Sequence, residues 1–339
     1  MKATSTEIRI QTICLLILSI ISVALGLFLV RPVMIPFTLA LFFTFMLDPL
    51  IDIQLKYFKI PRLLAIFTTL IIGFIILLTF LALISTSIQQ MATNFDSYQD
   101  KVENLLRDGA NNLNLERFGI NPKELITPFF SNINKSVGGI VFGTINTLVK
   151  LLSQGILILI FVIFLLIGKK KNISPKDSVW KEIEIRVKRY ISTKFLLSMI
   201  TGILVGVTLS LLNIDLALVF GLLAFLLNFI PSIGSIIATL LPLPVVIVSP
   251  DISSFIAISA IAMPGIIQFS IGNVIEPKIM GDSLDLHPVA ILMALIFWGM
   301  IWGLVGMLLA APLTAIMKII FEKIEYTSPL ANLLAGRIE

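Results

Sequence analysis

The sequence predicts an all-α fold: a polytopic membrane protein with about eight transmembrane helices, some discontinuous, plus a small helical extramembrane insertion. Three observations predict it. Of 339 residues, 57% are hydrophobic and 13% charged, whereas an ordinary soluble domain carries about 25% charged residues. No soluble core of this size could hide so much apolar surface, so the bilayer must be the solvent. The apolar residues also gather into runs of about 20, the length that crosses a bilayer as helix. Finally, helix breakers fall inside some runs as well as between them. Asn228–Val246, NFIPSIGSIIATLLPLPVV, sets Pro231 beside Ser232 and Gly234 and then adds Pro242 and Pro244.

The runs follow in order. Ile10–Val30 is the first; Arg31-Pro32 interrupts, and Val33–Leu47 is a shorter second run ending at Asp48-Pro49. Leu63–Ile84 is the third, and residues 1–88 hold all three. Residues 89–136 form an extracytoplasmic helical insertion, too long for a simple loop. Within it Phe95, Tyr98, Val102, Leu105 and Leu106 keep helical spacing. Val137–Gly168 is the fourth run, 169–194 a basic cytoplasmic loop, and 195–320 a C-terminal transmembrane domain with broken helices. Within that domain Phe195–Leu212 is the fifth run, while Leu216–Val248, Ile252–Ile275 and Pro288–Met317 carry no charge. A cytoplasmic tail, 321–339, closes the chain.

Charge orients these runs. Segment 169–194 carries nine basic residues against three acidic, and the tail holds Lys323 and Arg337. Positive loops stay on the cytoplasmic side, which puts both termini there. Segment 89–135, with five basic and six acidic residues, falls outside. If the fifth and last runs each cross once, 216–248 and 252–275 must either both cross or both fold back. In either case 276–288, EPKIMGDSLDLHP, is expected on the outer side or sunk into the protein from there. The net charge of +5 is spread over these loops, so it speaks for topology and not for nucleic acid.

Chemistry is expected where backbone is freed inside the membrane. Such backbone must be buried in protein or line a wet cavity, and transporters use helix breaks to bind substrate. Asn228, Phe229, Pro231, Ser232, Gly234 and Ser235 are therefore the candidate substrate-binding residues, with uncharged donors and acceptors around the break. Phe225, one turn before Phe229, is a candidate gate. Ionisable groups at membrane depth point to function, so Glu276, Lys278, Asp282 and Asp285 are candidates for ion coupling. Glu276 and Lys278 are expected either to pair with each other or to be solvated. Lys150, a further candidate for gating or ion coupling, joins Asn146 and Gln154 in a polar stripe at i, i+4, i+8, facing the bundle or snorkelling to the surface. Gly202/Gly206, Gly139/Gly143 and Gly299/Gly303/Gly306 allow close helix packing. One histidine and one cysteine leave no metal cluster, no phosphate-binding glycine loop is present, and no catalytic constellation emerges. Neither an enzyme nor a cofactor is expected.

NFIPSIGSIIATLLPLPVV, and GNVIEPKIMGDSLDLHPVAILMALIFWGMIWGLVGMLLAAPLTAIMKII further on, resemble the signature pieces of the autoinducer-2 exporter (PerM-like permease) family. LDPLI after the second run and the insertion before the fourth are similar too. The matching positions are Asn228, Pro231, Gly234, Glu276, Pro277, Lys278, Gly281, Pro288, Gly303, Gly306 and Pro312. The resemblance implies a multi-pass protein of the bacterial inner membrane that moves small solutes. It also implies a homo-oligomer, with a pentameric ring as one arrangement. The expected function is export of a small polar solute, an autoinducer-2-like signal or a metabolite, by alternating access at the broken helix. Sodium–proton antiport, resting on the acidic candidates, and a membrane scaffold, resting on the insertion and the basic loop, are the rival readings.

Overall fold

The computed structural model describes residues 5–93, 155–168, 179–249, 252–280 and 284–337, and among these the chain is helix and turn without strand. The insertion from residue 94 on, the stripe of Asn146, Lys150 and Gln154, and Asp282 lie outside the described residues. The helices are α1 (Ser5–Leu29), α2 (Arg31–Tyr57), α3 (Arg62–Thr93), α4 (Gly155–Gly168), α5 (Val179–Leu211), α6 (Ala217–Leu227), α7 (Ile233–Leu240) and α8 (Leu243–Val248). Then come α9 (Ser254–Phe269), a π-helical segment (Ser270–Ile275), α10 (Glu276–Met280), α11 (Pro288–Glu322) and α12 (Ser328–Ala335). Among the described residues four stretches, 31–57, 181–211, 254–280 and 288–322, are long and apolar enough to cross a membrane. The chain is thus an all-α polytopic membrane protein, as its composition requires.

Two compact units form, each discontinuous in sequence: residues 1–46, 155–191 and 282–339 in one, 47–154 and 192–281 in the other. In the first unit the long helix α11 does not run straight. Gly303 takes φ 63°, ψ −142°, a backbone state open almost only to glycine. The chain reverses there. Trp298 Nε1 donates to Thr314 Oγ1 at 3.1 Å, although 16 residues of straight helix would hold them about 24 Å apart. A β-carbon on Gly306 would overlap the Trp298 carbonyl, so glycine is needed where the arms meet. The arms, 288–302 and 304–322, extend about 22 and 28 Å at 1.5 Å per residue.

Both ends of α11 therefore lie together, and a cluster of charges ties them. Lys318, fully buried, reaches Asp285 at 2.5 Å and Glu322 at 2.9 Å, and Arg337 reaches Asp285 at 2.8 Å. Burial alone would raise the pKa of Asp285. The hydrogen bond and charge of Lys318, with the charges of Arg337 and Arg186, outweigh it and hold the carboxyl below its ordinary value. His287 accepts from Val289 N–H through Nδ1 at 3.3 Å, capping α11, and its backbone N–H donates to the Leu334 carbonyl at 2.9 Å. Residues 284–287 thus sit beside the tail, whereas the expectation from sequence placed them on the outer side, or sunk into the protein from there, with the tail on the cytoplasmic side. That expectation assumed that 288–317 crosses once, and the turn at Gly303 removes the assumption.

In the second unit α2 and α3 are joined by polar contacts. Thr68 Oγ1 donates to Gln54 Oε1 at 2.6 Å, and Gln54 Nε2 donates to Thr69 Oγ1 at 3.0 Å. Helices α5 and α6 meet backbone to backbone. A β-carbon on Gly221 would stand 2.6 Å from the Gly202 carbonyl and 2.7 Å from Gly206 Cα. Gly202 and Gly206 therefore do what their four-residue spacing suggests, admitting a close helix. Val205, Leu209, Phe220, Ala224, Ala238 and Ala260 form the buried core around this contact.

Candidate functional site

The site is built where α6 ends. After Leu227 the helical hydrogen bonds tighten: Phe229 N–H bonds the Leu226 carbonyl and Ile230 N–H the Leu227 carbonyl, a three-residue step in place of four. Pro231 offers no N–H to continue the ladder. Ser232 then takes φ 60°, ψ −56°, and Ile233 N–H closes on the Pro231 carbonyl at 2.6 Å. This is the positive-φ γ-turn, rare and strained for a residue with a β-carbon. The chain doubles back so tightly that a β-carbon on Gly234 would overlap the Leu227 carbonyl. Helix α7 then packs against both α6 and α9. At 11 residues, α6 spans about 16 Å, roughly half of a ~30 Å hydrocarbon core. The over-long apolar run is thus a fold-back hairpin with Pro231, Ser232 and Gly234 at its tip, while Pro242 and Pro244 stand at the start of α8.

Around the tip the polar side chains are partly satisfied. Asn228, buried, donates through Nδ2 to Ser198 Oγ of α5 at 3.0 Å. Phe229 and Gly234 are buried, Pro231 and Ser235 are partly buried, and Ser232 is exposed. Phe225 stacks edge-to-face on Phe195 and on Phe229, with ring centroids 5.7 and 5.6 Å apart. The candidate gate is thus the middle of an aromatic row leading to the tip.

One turn before Ser198 on α5 lies Lys194, whose side chain is 3% exposed and which bonds Glu276 Oε1 at 2.5 Å. Glu276 therefore takes a partner 82 residues away and not Lys278, the local partner the sequence suggested. Residues two apart on a helix point to different faces, so that pairing had poor geometry. Lys278 is exposed. Asp285 belongs to the first unit and its charge cluster.

The helix that carries Glu276 holds the residue that sequence reasoning missed. Gln268, 3% exposed, has neither Nε2 nor Oε1 hydrogen-bonded. A buried polar group left without a partner costs about 1–3 kcal/mol, so an orphaned amide asks for a reason. Gly265 and Gly272 share its helix face at i−3 and i+4. Their β-carbons would stand 3.4 Å from Thr239 Cγ2 and 3.9 Å from Ser235 Oγ, so this face looks onto α7 just beyond the tip. The π segment that follows admits an extra residue per turn. A strict four-residue repeat drifts by about 40° per step in an α-helix; the wider turn cancels most of it and keeps Gln268 and Glu276 on one face. Short π insertions of this kind are frequent at functional sites. The available signal was a carboxamide in the middle of a charge-free run that also holds Asn273, a pattern no motif describes.

Comparison with known proteins places the chain in a family. The profile of the AI-2E family transporters matches residues 15–325. The AI-2 transport protein TqsA of Escherichia coli K12 is 30% identical over 314 residues, covering 89% of each chain. A putative transport protein of Borreliella burgdorferi is 30% identical over 293 residues, covering 83% of this chain and 79% of that protein. One from Haemophilus influenzae is 27% identical, covering 95% of each. With the match running from the first helix through both fold-back hairpins, the chain belongs to the AI-2E transporter family.

Proposed function

We propose that this transporter exports a small polar solute, of the autoinducer-2 kind or a related metabolite, by alternating access at the hairpin tip Asn228–Ser235. One observation carries the reading: a strained, non-helical turn at Ser232 and Pro231 stands at the end of a helix about half a membrane long. Irregular backbone at such depth must be buried in protein or line a wet path, and Ser232 is exposed. Asn228, Ser198 and Ser235 supply uncharged donors and acceptors there. The relative named for AI-2 transport supports the solute class. The transporter sits in the bacterial inner membrane with both termini cytoplasmic, as the basic segment 169–194 supports, and works as a homo-oligomer.

Efflux of autoinducer-2 from loaded proteoliposomes tests this directly. Asn228→Ala and Ser198→Ala are expected to slow efflux about tenfold or more at equal protein content, since each leaves a buried polar group unpaired. Efflux at the wild-type rate from both variants would remove the tip from the pathway.

The Lys194–Glu276 pair favours a second reading, coupling to sodium or protons. In proteoliposomes carrying a pH-sensitive dye, sodium pulses are then expected to move protons with the wild type and not with Glu276→Gln. An equal dye response from both rejects it.

A further inference from the structure

We infer that Gln268 reads the solute: its carboxamide hydrogen-bonds an uncharged molecule that presents an acceptor and a donor side by side, as neighbouring hydroxyls, a hydroxyl next to a carbonyl, or a carboxamide do. The inference rests on the reading of Asn228–Ser235 as a transport site.

Both polar atoms of Gln268 are buried and unpartnered. A carboxamide holds two donor hydrogens and an acceptor oxygen, and buried polar groups in folded proteins nearly always find partners. Gly265 and Gly272 border Gln268 on its own helix face and look onto Thr239 and Ser235 of α7, so Gln268 stands at the level between those two residues, beside the strained tip. Glycine on either side strips that face of side-chain bulk next to the amide. The Thr239 hydroxyl already donates to the Ser235 carbonyl at 2.9 Å, leaving its proton unavailable to Gln268. Among the described residues, Lys194 and Glu276 are paired with each other, which favours an uncharged ligand over an ion. An uncharged solute with adjacent donor and acceptor is the ligand that satisfies the amide without an uncompensated charge.

The test compares the metabolites exported by cells producing wild type, Gln268→Met or no protein, at matched membrane levels, and the melting temperatures of the two purified proteins. Wild type against no protein tests the transport reading itself; if the two export alike, that reading falls and this inference with it. Gln268→Met keeps the length of the side chain and removes its polar end. It is expected to lower export of uncharged hydroxylated or carboxamide solutes at least about tenfold, with a melting temperature equal to or above that of wild type. Unchanged export by Gln268→Met overturns the inference, as does a wild-type set made up only of charged solutes. A lower melting temperature for Gln268→Met also overturns it, because the amide would then be satisfied within the empty protein.

Discussion

Lys194 donates to the Glu276 carboxylate at 2.5 Å, joining α5 to α10 across 82 residues of chain. The two ends of this bond are not equivalent: the lysine side chain is 3% exposed and the glutamate 20%. A buried charge that loses its partner costs about 3–5 kcal/mol, whereas removing both partners is often neutral. Glu276→Gln, which strands the lysine, is therefore expected to lower stability more than Lys194→Met, which leaves a carboxylate some access to water. The double variant is expected to melt close to wild type. Thermal unfolding of the four purified proteins checks the order, and equal losses in all three variants would contradict it.

The α5–α6 contact allows a second check. Gly221 faces only backbone, the Gly202 carbonyl and Gly206, and backbone cannot swing aside as a flexible side chain can. Gly221→Ala is expected to cost about 1–3 kcal/mol through overpacking. Gly73→Ala, where nothing lies within 4 Å, is expected to be neutral or mildly stabilising, since alanine favours helix. Melting temperatures in one detergent decide it.

At the reversal of α11 the three glycines should differ. Gly303→Ala forces a β-carbon into φ 63°, ψ −142° and is expected to cost about 1–3 kcal/mol. Gly306→Ala collides with the Trp298 carbonyl and is expected to be the most harmful. Gly299→Ala meets the side chain of Met307, 2.9 Å from Cε and 3.1 Å from Cγ, which can turn aside where backbone cannot, and is expected to be the mildest. Equal tolerance of all three would mean a straight helix.

Asp285 gives a pH signature. Its carboxyl is held below the ordinary value of 3.8, so its contribution to stability is complete above about pH 5 and is lost as pH falls through the lowered folded value. The stability difference between wild type and Asp285→Asn is expected to be flat from pH 8 to about 5 and to shrink only below about pH 4. A difference that shrinks between pH 7 and 5 would assign it to another group.

These sites show what a sequence of this kind reveals. Pro231, Ser232 and Gly234 announced a break because three breakers in an over-long apolar run have few other uses. The reversal at Gly303 was hidden: it has no proline, and Gly299, Gly303 and Gly306 read equally well as a packing face. That one turn then misplaced 284–287, since the side on which a loop falls depends on every crossing before and after it. The pairs Lys194–Glu276 and Lys318–Asp285 join distant residues, and local spacing holds no information about such partners. Gln268 was overlooked because an amide in an apolar run gains its meaning only from the partners it lacks.

The central claim, that the hairpin tip lies on a path open to each side in turn, is tested most directly by labelling Ser232→Cys in a Cys14→Ser background, which removes the only native cysteine. A membrane-impermeant maleimide is applied from one side or the other of oriented vesicles, with and without autoinducer-2. The account expects Ser232→Cys to be labelled from either side, with the solute shifting the balance between them and the label stopping efflux. Labelling from neither side, or full efflux after complete labelling, would contradict it.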